Sequence, residues 1–476
     1  MAGRSETSVL SFMDRAPLSG RYWLAITLFS LQFIFEYFDF FVVGFLVAVI
    51  APQWHLTYGQ SSIILLSAGV GSIIGAVVFG KFADGWGRKQ IVVISTVIYS
   101  LSAGAIALVP DGAWILFSSL RFLVGFGLAG ATTAQTALIV EFTPTRFRTV
   151  ISSAMYAPVS LGILLASVSA ATLLHTIGWR GLAALGATPL VIGIAIAFLV
   201  PESIPWLIAR NQIARARANL AWLFKMPPET IAVPATPPAP EPKVRFSELY
   251  RERTRFWFTV VVWLGITTAV YGVLLWGPTI LALLLGIPTQ AAAKYFIYYS
   301  LAGLFGRIPF LFLVQHYGRR PCGLVMGYAA ALCLAGAALF HSAFLGSIPV
   351  FMLFLVIGNI FVESEITNIA PYTAEMFPVR LAGRGVGLSQ LVNGIGKIIG
   401  PLCLAVIAGT TNFVTPQATE AAVLPAFLFL AACALATGLA FTFVRIETHR
   451  RPLALAGSGE PAMVPADEGA ALPPRI

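Results

Sequence analysis

Twelve long apolar runs alternate with shorter polar segments along this chain of 476 residues. Because a helix needs about 20 apolar residues to cross the hydrocarbon core of a bilayer, each run predicts one membrane-spanning helix. The pattern therefore predicts an all-α membrane protein with twelve transmembrane helices, six on each side of a long polar stretch. The runs cover residues 23–50, 61–79, 91–109, 114–140, 150–174, 181–200, 256–285, 293–314, 323–340, 348–372, 386–408 and 424–444.

The composition supports a membrane location. Hydrophobic residues make up 58% of the chain and charged residues only 11%, whereas a soluble domain averages about 25% charged residues. With the N-terminus placed in the cytoplasm, 25 Lys and Arg residues fall in cytoplasmic segments and 2 in the opposite loops. The positive-inside rule therefore predicts a multi-pass protein of the cell (inner or plasma) membrane with both termini cytoplasmic. The net charge of +10 is explained by this asymmetry and predicts no nucleic-acid partner.

The polar stretches predict five segments. The first apolar run is too long for a signal peptide and no small-residue cleavage pattern follows it, so we expect it to remain as the first helix. The middle of the linker is rich in proline, which predicts a stiff, unstructured connection. The segments are a cytoplasmic N-terminus (1–22), an N-terminal six-helix half (23–200), a cytoplasmic linker (201–255), a C-terminal six-helix half (256–445) and a disordered cytoplasmic tail (446–476).

An internal repeat relates the two halves. Gly87-Arg88-Lys89 follows the second run, and Gly318-Arg319-Arg320 follows the eighth, 231 residues later. A Glu-x-x-Pro-x-Arg pattern begins at Glu141 after the fourth run and again at Glu375 after the tenth, 234 residues later. Two matches in the same order predict repeated halves, which in secondary transporters place the substrate site at their interface near the bilayer midplane.

Three segments of the chain match known sequence motifs. Residues 80–89 read GKFADGWGRK and resemble the G-x-x-x-D-x-x-G-R-K/R loop that joins the second and third helices of the major facilitator superfamily. Residues 121–127 are similar to its R-x-x-x-G-x-G segment. Residues 201–207, PESIPWL, are similar to the P-E-S-P-R-W-L of its sugar and organic-ion porters but lack the Arg. The resemblance implies two pseudo-symmetric six-helix halves that work by alternating access.

The resemblance also implies that the charged loops form a conformational latch, and the alternative is that they only anchor the topology. Gly80 would permit a close helix approach, and Asp84 would pair with basic groups on a neighbouring helix end. Gln315 stands at the position that corresponds to Asp84, so the sequence does not predict a matching charge cluster in the second half. The predicted latch residues are Gly80, Asp84, Gly87, Arg88, Lys89, Glu141, Arg146, Glu375 and Arg380.

Two acids, Glu36 and Asp39, stand near the middle of the first predicted helix. Residues at i and i+3 share a helix face, and an ionised carboxylate at this depth is costly. The pair is similar in position to the D-G-x-D of the aromatic-acid and related metabolite:proton symporters, with Tyr37 in place of Gly. Because burial and mutual repulsion both favour a bound proton, we expect the pair to bind and release a proton near neutral pH. The alternative is a structural pair that stays neutral.

Several further residues inside the apolar runs are candidates for substrate binding, because charges and polar groups inside a membrane are usually functional. Lys397 either pairs with a glutamate of the tenth helix or anchors a substrate carboxylate, and Arg121 is placed to meet the same anion. Gly277-Pro278 is expected to break the seventh helix beside two aromatic candidates. The predicted set is Arg121, Tyr271, Trp276, Glu363, Glu365, Asn393 and Lys397.

These features predict a secondary active transporter, and they favour proton-coupled uptake of a small organic acid. A sugar or polyol transporter and a proton-driven efflux pump for amphipathic compounds remain as alternatives. We expect no enzyme activity, because none of the five histidines stands in a sequence pattern typical of a catalytic or metal-binding site. No Walker or Rossmann glycine pattern occurs either. No cofactor and no metal site are predicted. The expected partners are a small solute, protons and the lipid bilayer, with the protein acting as a monomer.

Overall fold

The computed structural model describes residues 18–144, 146–147, 151, 154–155, 157–227 and 246–448, without the side chains of residues 84, 246, 311 and 379. The predicted disordered tail from residue 449 onward lies outside the described residues. The same holds for the first 17 residues and for most of the proline-rich part of the linker.

The N-terminal half consists of six helices. In α5, Gly178 adopts a φ of 65° and interrupts the helix, and a 3-10 turn at Leu185–Ala187 then leads into α6. This interruption separates the fifth and sixth predicted spans. The helices are α1 (Gly20–Gln53), α2 (Tyr58–Trp86), α3 (Arg88–Ile106), α4 (Trp114–Phe142), α5 (Ala157–Ala184) and α6 (Pro189–Leu199).

The C-terminal half repeats this arrangement. Short helices at Ile204–Ala209, Ile213–Phe224 and Phe246–Arg251 lie between the halves. Strands β1 (Phe344–Leu345) and β2 (Ile348–Pro349) form a small antiparallel hairpin between the ninth and tenth helices. The helices are α7 (Arg253–Leu285), α8 (Thr289–Tyr317), α9 (Arg319–Leu339), α10 (Val350–Met376), α11 (Val379–Ala408) and α12 (Pro416–Phe443).

The helix count agrees with the prediction from the apolar runs. In the described residues, 11 helical stretches are long and apolar enough to cross a membrane, and the longest, Ala157–Leu199, has 43 residues. That stretch is about twice the length that one crossing needs, and Gly178 divides it. The twelve predicted spans are therefore all present.

Local sequence explains where several helices begin. Thr57 forms a capping box with Gln60 at the start of α2, in which each side chain bonds the other residue's backbone N–H. Gly87 ends α2 and starts α3 with a φ of 104°, and Gly318 joins α8 to α9 in the same way with a φ of 98°. Only glycine adopts these angles without strain, which accounts for its presence in both copies of the Gly-Arg repeat.

Helix packing is pseudo-symmetric. In the first half α1 packs against α5, α2 against α4, and α3 against α4 and α6. In the second half α7 packs against α11, α8 against α10, and α9 against α10 and α12. The halves meet where α1 contacts α7, α2 contacts α11 and α5 contacts α8. At Gly44 of α1, a side-chain carbon would lie 2.9 Å from the Leu274 carbonyl oxygen of α7, so the absence of a side chain permits this close approach.

The halves are joined along one face of the bundle, which we call the sealed face. The loop between α1 and α2 bonds the loop between α11 and α12 through Val414 N to Leu56 O (3.1 Å) and Tyr58 N to Asn412 O (2.9 Å). The hydroxyls of Tyr58 and Thr419 lie 2.6 Å apart across the same junction. The opposite face carries the charged loops of the repeat and is called the latch face. The hydrogen bonds between the α1–α2 loop and the α11–α12 loop close the sealed face.

Candidate functional site

Glu36 lies in a polar layer inside the N-terminal half. It is 2% exposed. Its carboxylate accepts hydrogen bonds from Thr132 Oγ1 (2.8 Å) and Gln135 Nε2 (2.9 Å) of α4. Gln32, one turn earlier on α1, donates to Thr96 Oγ1 of α3 at 2.6 Å. Within the described part of the chain no basic side chain forms an ion pair with Glu36, so an ionised carboxylate there has only neutral donors.

Asp39 forms a buried ion pair with Arg121. Arg121 Nη1 lies 3.0 Å from Asp39 Oδ2 and 3.1 Å from the Asp39 carbonyl oxygen, and Nη2 lies 3.4 Å from the Phe40 carbonyl oxygen. Asp39 is 3% and Arg121 1% exposed. The two acids of α1 are therefore in different environments, and only Asp39 is neutralised by a cation. Arg121, which the sequence placed near an anionic substrate, is instead held inside the N-terminal half.

The Asp39–Arg121 pair gives a stability prediction. Asp39→Asn or Arg121→Met alone leaves one buried charge without its partner, which costs about 3–5 kcal/mol in known cases. The double variant removes both charges and should recover most of that loss. Unfolding free energies of the four proteins in detergent, arranged as a double-mutant cycle, measure the coupling. If the losses in unfolding free energy of the two single variants simply add in the double variant, the two residues are not energetically coupled, which would contradict the ion pair.

Lys397 of α11 lies among aromatic rings from both halves. Its Nζ is 4.8 Å from the ring centroid of Phe40 and 5.5 Å from that of Tyr271. Phe41 stacks on Tyr271 with centroids 5.8 Å apart and an interplanar angle of 12°. Lys397 is partly exposed, and Glu36 lies within electrostatic range of it. We call Phe40, Phe41, Tyr271 and Lys397 the aromatic box.

The glutamates of α10 do not pair with Lys397. Glu363 forms an ion pair with Arg307 of α8, and both are buried. Glu365 is fully buried, and neither of its carboxylate oxygens has a hydrogen-bond partner in the structure as described. Of the two roles that the sequence left open for Lys397, the ion pair with an α10 glutamate is therefore absent in this conformation.

The remaining substrate-binding candidates divide between the box and the sealed face. Asn393 lies one turn from Lys397 on α11 and is partly exposed, so it shares the helix face of Lys397. Trp276 is fully buried, donates from Nε1 to the Pro401 carbonyl oxygen at 3.1 Å and packs against Tyr58 with centroids 5.3 Å apart. Trp276 thus belongs to the closed side of the bundle, and α7 continues through Gly277-Pro278, where the sequence predicted a break. The sequence analysis missed Phe40 and Phe41, because among 35 phenylalanines nothing distinguishes these two.

The predicted latch forms a charge cluster at the latch face of the first half. Arg88 pairs with Glu141, and Ser203 Oγ donates to Glu141 Oε2 at 2.6 Å. Glu202 Oε1 accepts a hydrogen bond from the Lys89 backbone N–H at 2.9 Å. An acid at this position also interacts favourably with the positive end of the α3 helix dipole. The PESIPWL segment therefore fixes the end of α6 to the start of α3 and to the end of α4.

A matching cluster exists in the second half, contrary to the expectation based on Gln315. Arg319 binds Glu375 through Nε (2.8 Å) and Nη2 (2.7 Å), and Thr448 Oγ1 donates to Glu375 at 2.7 Å. Glu447 accepts from the backbone N–H groups of Arg319 (3.2 Å) and Arg320 (3.0 Å). Glu447-Thr448 after α12 corresponds to Glu202-Ser203 after α6. The number of residues between Glu202 and Glu447 differs from the spacing of the other repeats, so the sequence did not reveal that the two pairs correspond.

The structure describes the surroundings of three other predicted latch residues, Arg380, Arg146 and Gly80. Arg380 is exposed and 3.9 Å from Glu248 of the short helix before α7, and Arg146 is exposed with its guanidinium 4.7 Å from the Phe147 ring centroid. A side-chain carbon at Gly80 would meet nothing within 4 Å, so Gly80 makes no close helix approach in this conformation. The Asp84 side chain lies outside the described part.

Comparisons with known proteins agree with this architecture. The Major Facilitator Superfamily model matches residues 28–401. The chain is 27% identical over 398 residues to a niacin transporter of Acinetobacter baylyi, a match that covers 83% of this chain and 89% of that one. It is 26% identical over 444 residues to a 4-hydroxybenzoate transporter of Pseudomonas aeruginosa, covering 89% and 94%. The inward open conformation of the E. coli xylose transporter gives a TM-score of 0.70 at 17% identity, covering 91% and 98%.

The family match extends from α1 into α11 and therefore spans both halves. It confirms the predicted fold, and with the relatives it confirms that the protein is a membrane transporter and not an enzyme. Two packed six-helix halves, a charge cluster repeated at the latch face and a matching family model lead to one conclusion. The chain belongs to the major facilitator superfamily.

Proposed function

We propose that this transporter is a proton-coupled symporter that takes up small aromatic carboxylic acids, with Lys397 binding the substrate carboxylate and Glu36 carrying the proton. Lys397 is the observation that carries the proposal. It is the cation of the aromatic box, it is partly exposed between the halves, and no carboxylate in the described residues forms an ion pair with it. A substrate carboxylate would supply that missing partner.

The rings of the aromatic box favour a flat apolar substrate body. Phe41 and Tyr271 stack on each other, and Phe40 meets Tyr271 edge to face with centroids 5.5 Å apart. Aromatic pairs prefer these offset and perpendicular geometries, so a substrate ring can add to the same stack while its carboxylate contacts Lys397. The relatives named for niacin and 4-hydroxybenzoate support this substrate class, because both compounds carry a carboxyl group on an aromatic ring.

Coupling to protons follows from competition for Lys397. Ionised Glu36 lies within electrostatic range of Lys397 without forming an ion pair with it, and its negative charge competes with that of a substrate carboxylate. A proton on Glu36 removes that negative charge and leaves Lys397 free to bind the substrate anion. Proton and substrate therefore favour each other's binding, and by linkage the effect is reciprocal. Asp39, which the sequence grouped with Glu36 as a proton carrier, is less suited to the role because Arg121 already neutralises it.

We further propose that the latch face is cytoplasmic and that the protein works as a monomer. The excess of Lys and Arg in the segments on that side supports this orientation. A bundle of two halves with the aromatic box between them needs no second copy to form a substrate path. In the described conformation the sealed face, which is then the outer face, is closed.

The proposal is tested by uptake into proteoliposomes. Nicotinate, 4-hydroxybenzoate, their neutral amides and xylose are supplied with and without an inward proton gradient, and entry into empty liposomes is subtracted. We expect a one-unit pH gradient to drive about ten-fold accumulation of the carboxylates if one proton moves with each anion. The amides and xylose should show no response to the gradient. Uptake of xylose alone, or carboxylate uptake that ignores the gradient, would rule the proposal out.

A further inference from the structure

Thr132 of α4 holds two acceptors with a single hydroxyl. Its Oγ1 lies 2.8 Å from Glu36 Oε2 and 2.8 Å from the carbonyl oxygen of Leu128, one turn earlier on its own helix. A threonine hydroxyl has one proton to donate and two lone pairs that accept. It therefore cannot donate to both oxygens at once. It either donates to only one of them, or it donates to the Leu128 carbonyl oxygen while its Oγ1 accepts a hydrogen bond from Glu36.

The protonation state of Glu36 decides between two arrangements. If Glu36 is ionised, the Thr132 hydroxyl donates to its carboxylate and leaves the Leu128 carbonyl to the backbone of α4. If Glu36 is protonated, its O–H donates to Thr132 Oγ1, and the Thr132 hydroxyl donates to the Leu128 carbonyl oxygen. The same geometry satisfies both states with only a rotation of one hydroxyl, so Thr132 can exchange a proton with Glu36 without movement of either helix.

Thr132 is also the Glu36 ligand whose side chain is not buried. Glu36 and its other ligand, Gln135, are both buried, whereas Thr132 is partly exposed. Thr136, one turn nearer the latch face on the same side of α4, is exposed. Because Thr132 bonds Glu36 of α1, whereas α4 packs mainly on α2 and α3, this threonine row lies on the side of α4 that faces α1.

We propose that Thr132 is the proton relay between Glu36 and water on the latch-face side, an inference that rests on the proposed function. In the release step the Glu36 O–H bond breaks as its proton passes to Thr132 Oγ1. In the same step the Thr132 hydroxyl, rotated from the Leu128 carbonyl oxygen toward a water molecule, gives its own proton to that water. Glu36 becomes a carboxylate, water becomes hydronium and the threonine is unchanged. The reverse sequence loads the proton.

Other ionisable groups face Glu36 but none replaces this route. They are Tyr99 of α3, Lys397 of α11 and, on α1 itself, Asp39, which Arg121 of α4 neutralises. Lys397 opposes Glu36 across the interface between the halves and is the proposed substrate anchor. Tyr99 is fully buried and offers no path to solvent. Among the described residues, the Thr132 hydroxyl is the polar group that both bonds Glu36 and is partly exposed.

The test compares Thr132→Val with Thr132→Ser, using Thr136→Val as the matched control. Valine has nearly the shape of threonine without the hydroxyl, and serine keeps the hydroxyl. Thr136 serves as the control because its hydroxyl donates to the backbone carbonyl oxygen of Thr132 (2.7 Å). Two rates are measured in proteoliposomes with labelled 4-hydroxybenzoate: uptake driven by a proton gradient, and exchange at equal pH, in which the proton need not leave the protein. We expect Thr132→Val to lower gradient-driven uptake by at least about ten-fold and to leave exchange within about two-fold, while Thr132→Ser and Thr136→Val resemble the unmodified protein.

The outcomes separate this inference from the proposed function. If Thr132→Val transports like the unmodified protein, or loses exchange together with uptake, Thr132 is not the relay. In either case Glu36→Gln still decides the proposed function independently, because loss of gradient-driven uptake in that variant supports Glu36 as the proton carrier whatever Thr132 does. If Glu36→Gln keeps its response to the gradient, the proposed function fails and the relay fails with it.

Discussion

Glu36→Gln is expected to abolish proton-driven accumulation while substrate exchange continues. Glutamine reproduces the shape and the neutral charge of a protonated Glu36, and it can still contact Thr132 and Gln135, which now hold the carboxylate. It cannot release a proton. The substrate can therefore still bind to Lys397 and cross, but a pH gradient no longer contributes free energy. Accumulation driven by a one-unit gradient should fall from about ten-fold to about one.

Glu365→Gln is the matched control for this change. Glu365 is also a buried glutamate without an ion-pair partner in the described residues, but it lies on α10 of the other half and outside the aromatic box. The same chemical substitution there tests whether any loss follows from removing a buried acid in general. Accumulation by Glu36→Gln that still follows the gradient would rule out Glu36 as the proton carrier. Equal losses in both variants would show that the effect is not specific to Glu36.

Lys397→Met is expected to weaken binding of aromatic carboxylates by about 30- to 150-fold. Methionine keeps most of the apolar stem that packs over Phe40 and Tyr271 and removes only the ammonium group. A hydrogen bond to a charged group contributes about 1.5–3 kcal/mol, and a loss of about 2–3 kcal/mol corresponds to this change in the dissociation constant. Direct binding of labelled 4-hydroxybenzoate to the purified protein measures it.

The neutral amide of the same substrate provides the control for Lys397. The amide keeps the ring and its stacking surface but carries no negative charge, so its binding should be weak and nearly the same in the unmodified protein and in Lys397→Met. Lys397→Arg keeps the charge and should retain part of the carboxylate affinity, since a guanidinium is larger and differs in shape from an ammonium. Equal loss of affinity for acid and amide would instead indicate a structural role for Lys397.

The sequence by itself determined the architecture of this protein. Twelve apolar runs, their division into six and six, and the Gly-Arg and Glu-x-x-Pro-x-Arg repeats follow from local properties: the length of apolar chain that a bilayer requires and the backbone angles that only glycine adopts easily. The resemblance to a known family, and not the runs, named Arg88 and Glu141 as latch residues, and both stand at helix ends whose positions the runs define. The sequence also placed Glu36, Asp39 and Lys397 inside the membrane, where such residues are seldom without a role.

Only the tertiary structure decided which of these charges meet. The spacing of Glu36 and Asp39 places both on one side of α1, but it does not reveal that Arg121 neutralises Asp39 alone. In the same way Glu363 is paired with Arg307 of α8 and Lys397 is left among Phe40 and Tyr271. The counterpart of Glu202-Ser203 at Glu447-Thr448 became visible only when α9 and α12 were seen side by side. The physical reason is that one chain's apolar pattern specifies where each helix crosses the bilayer, whereas the partner of a buried charge depends on the rotation of that helix and on neighbours distant in sequence.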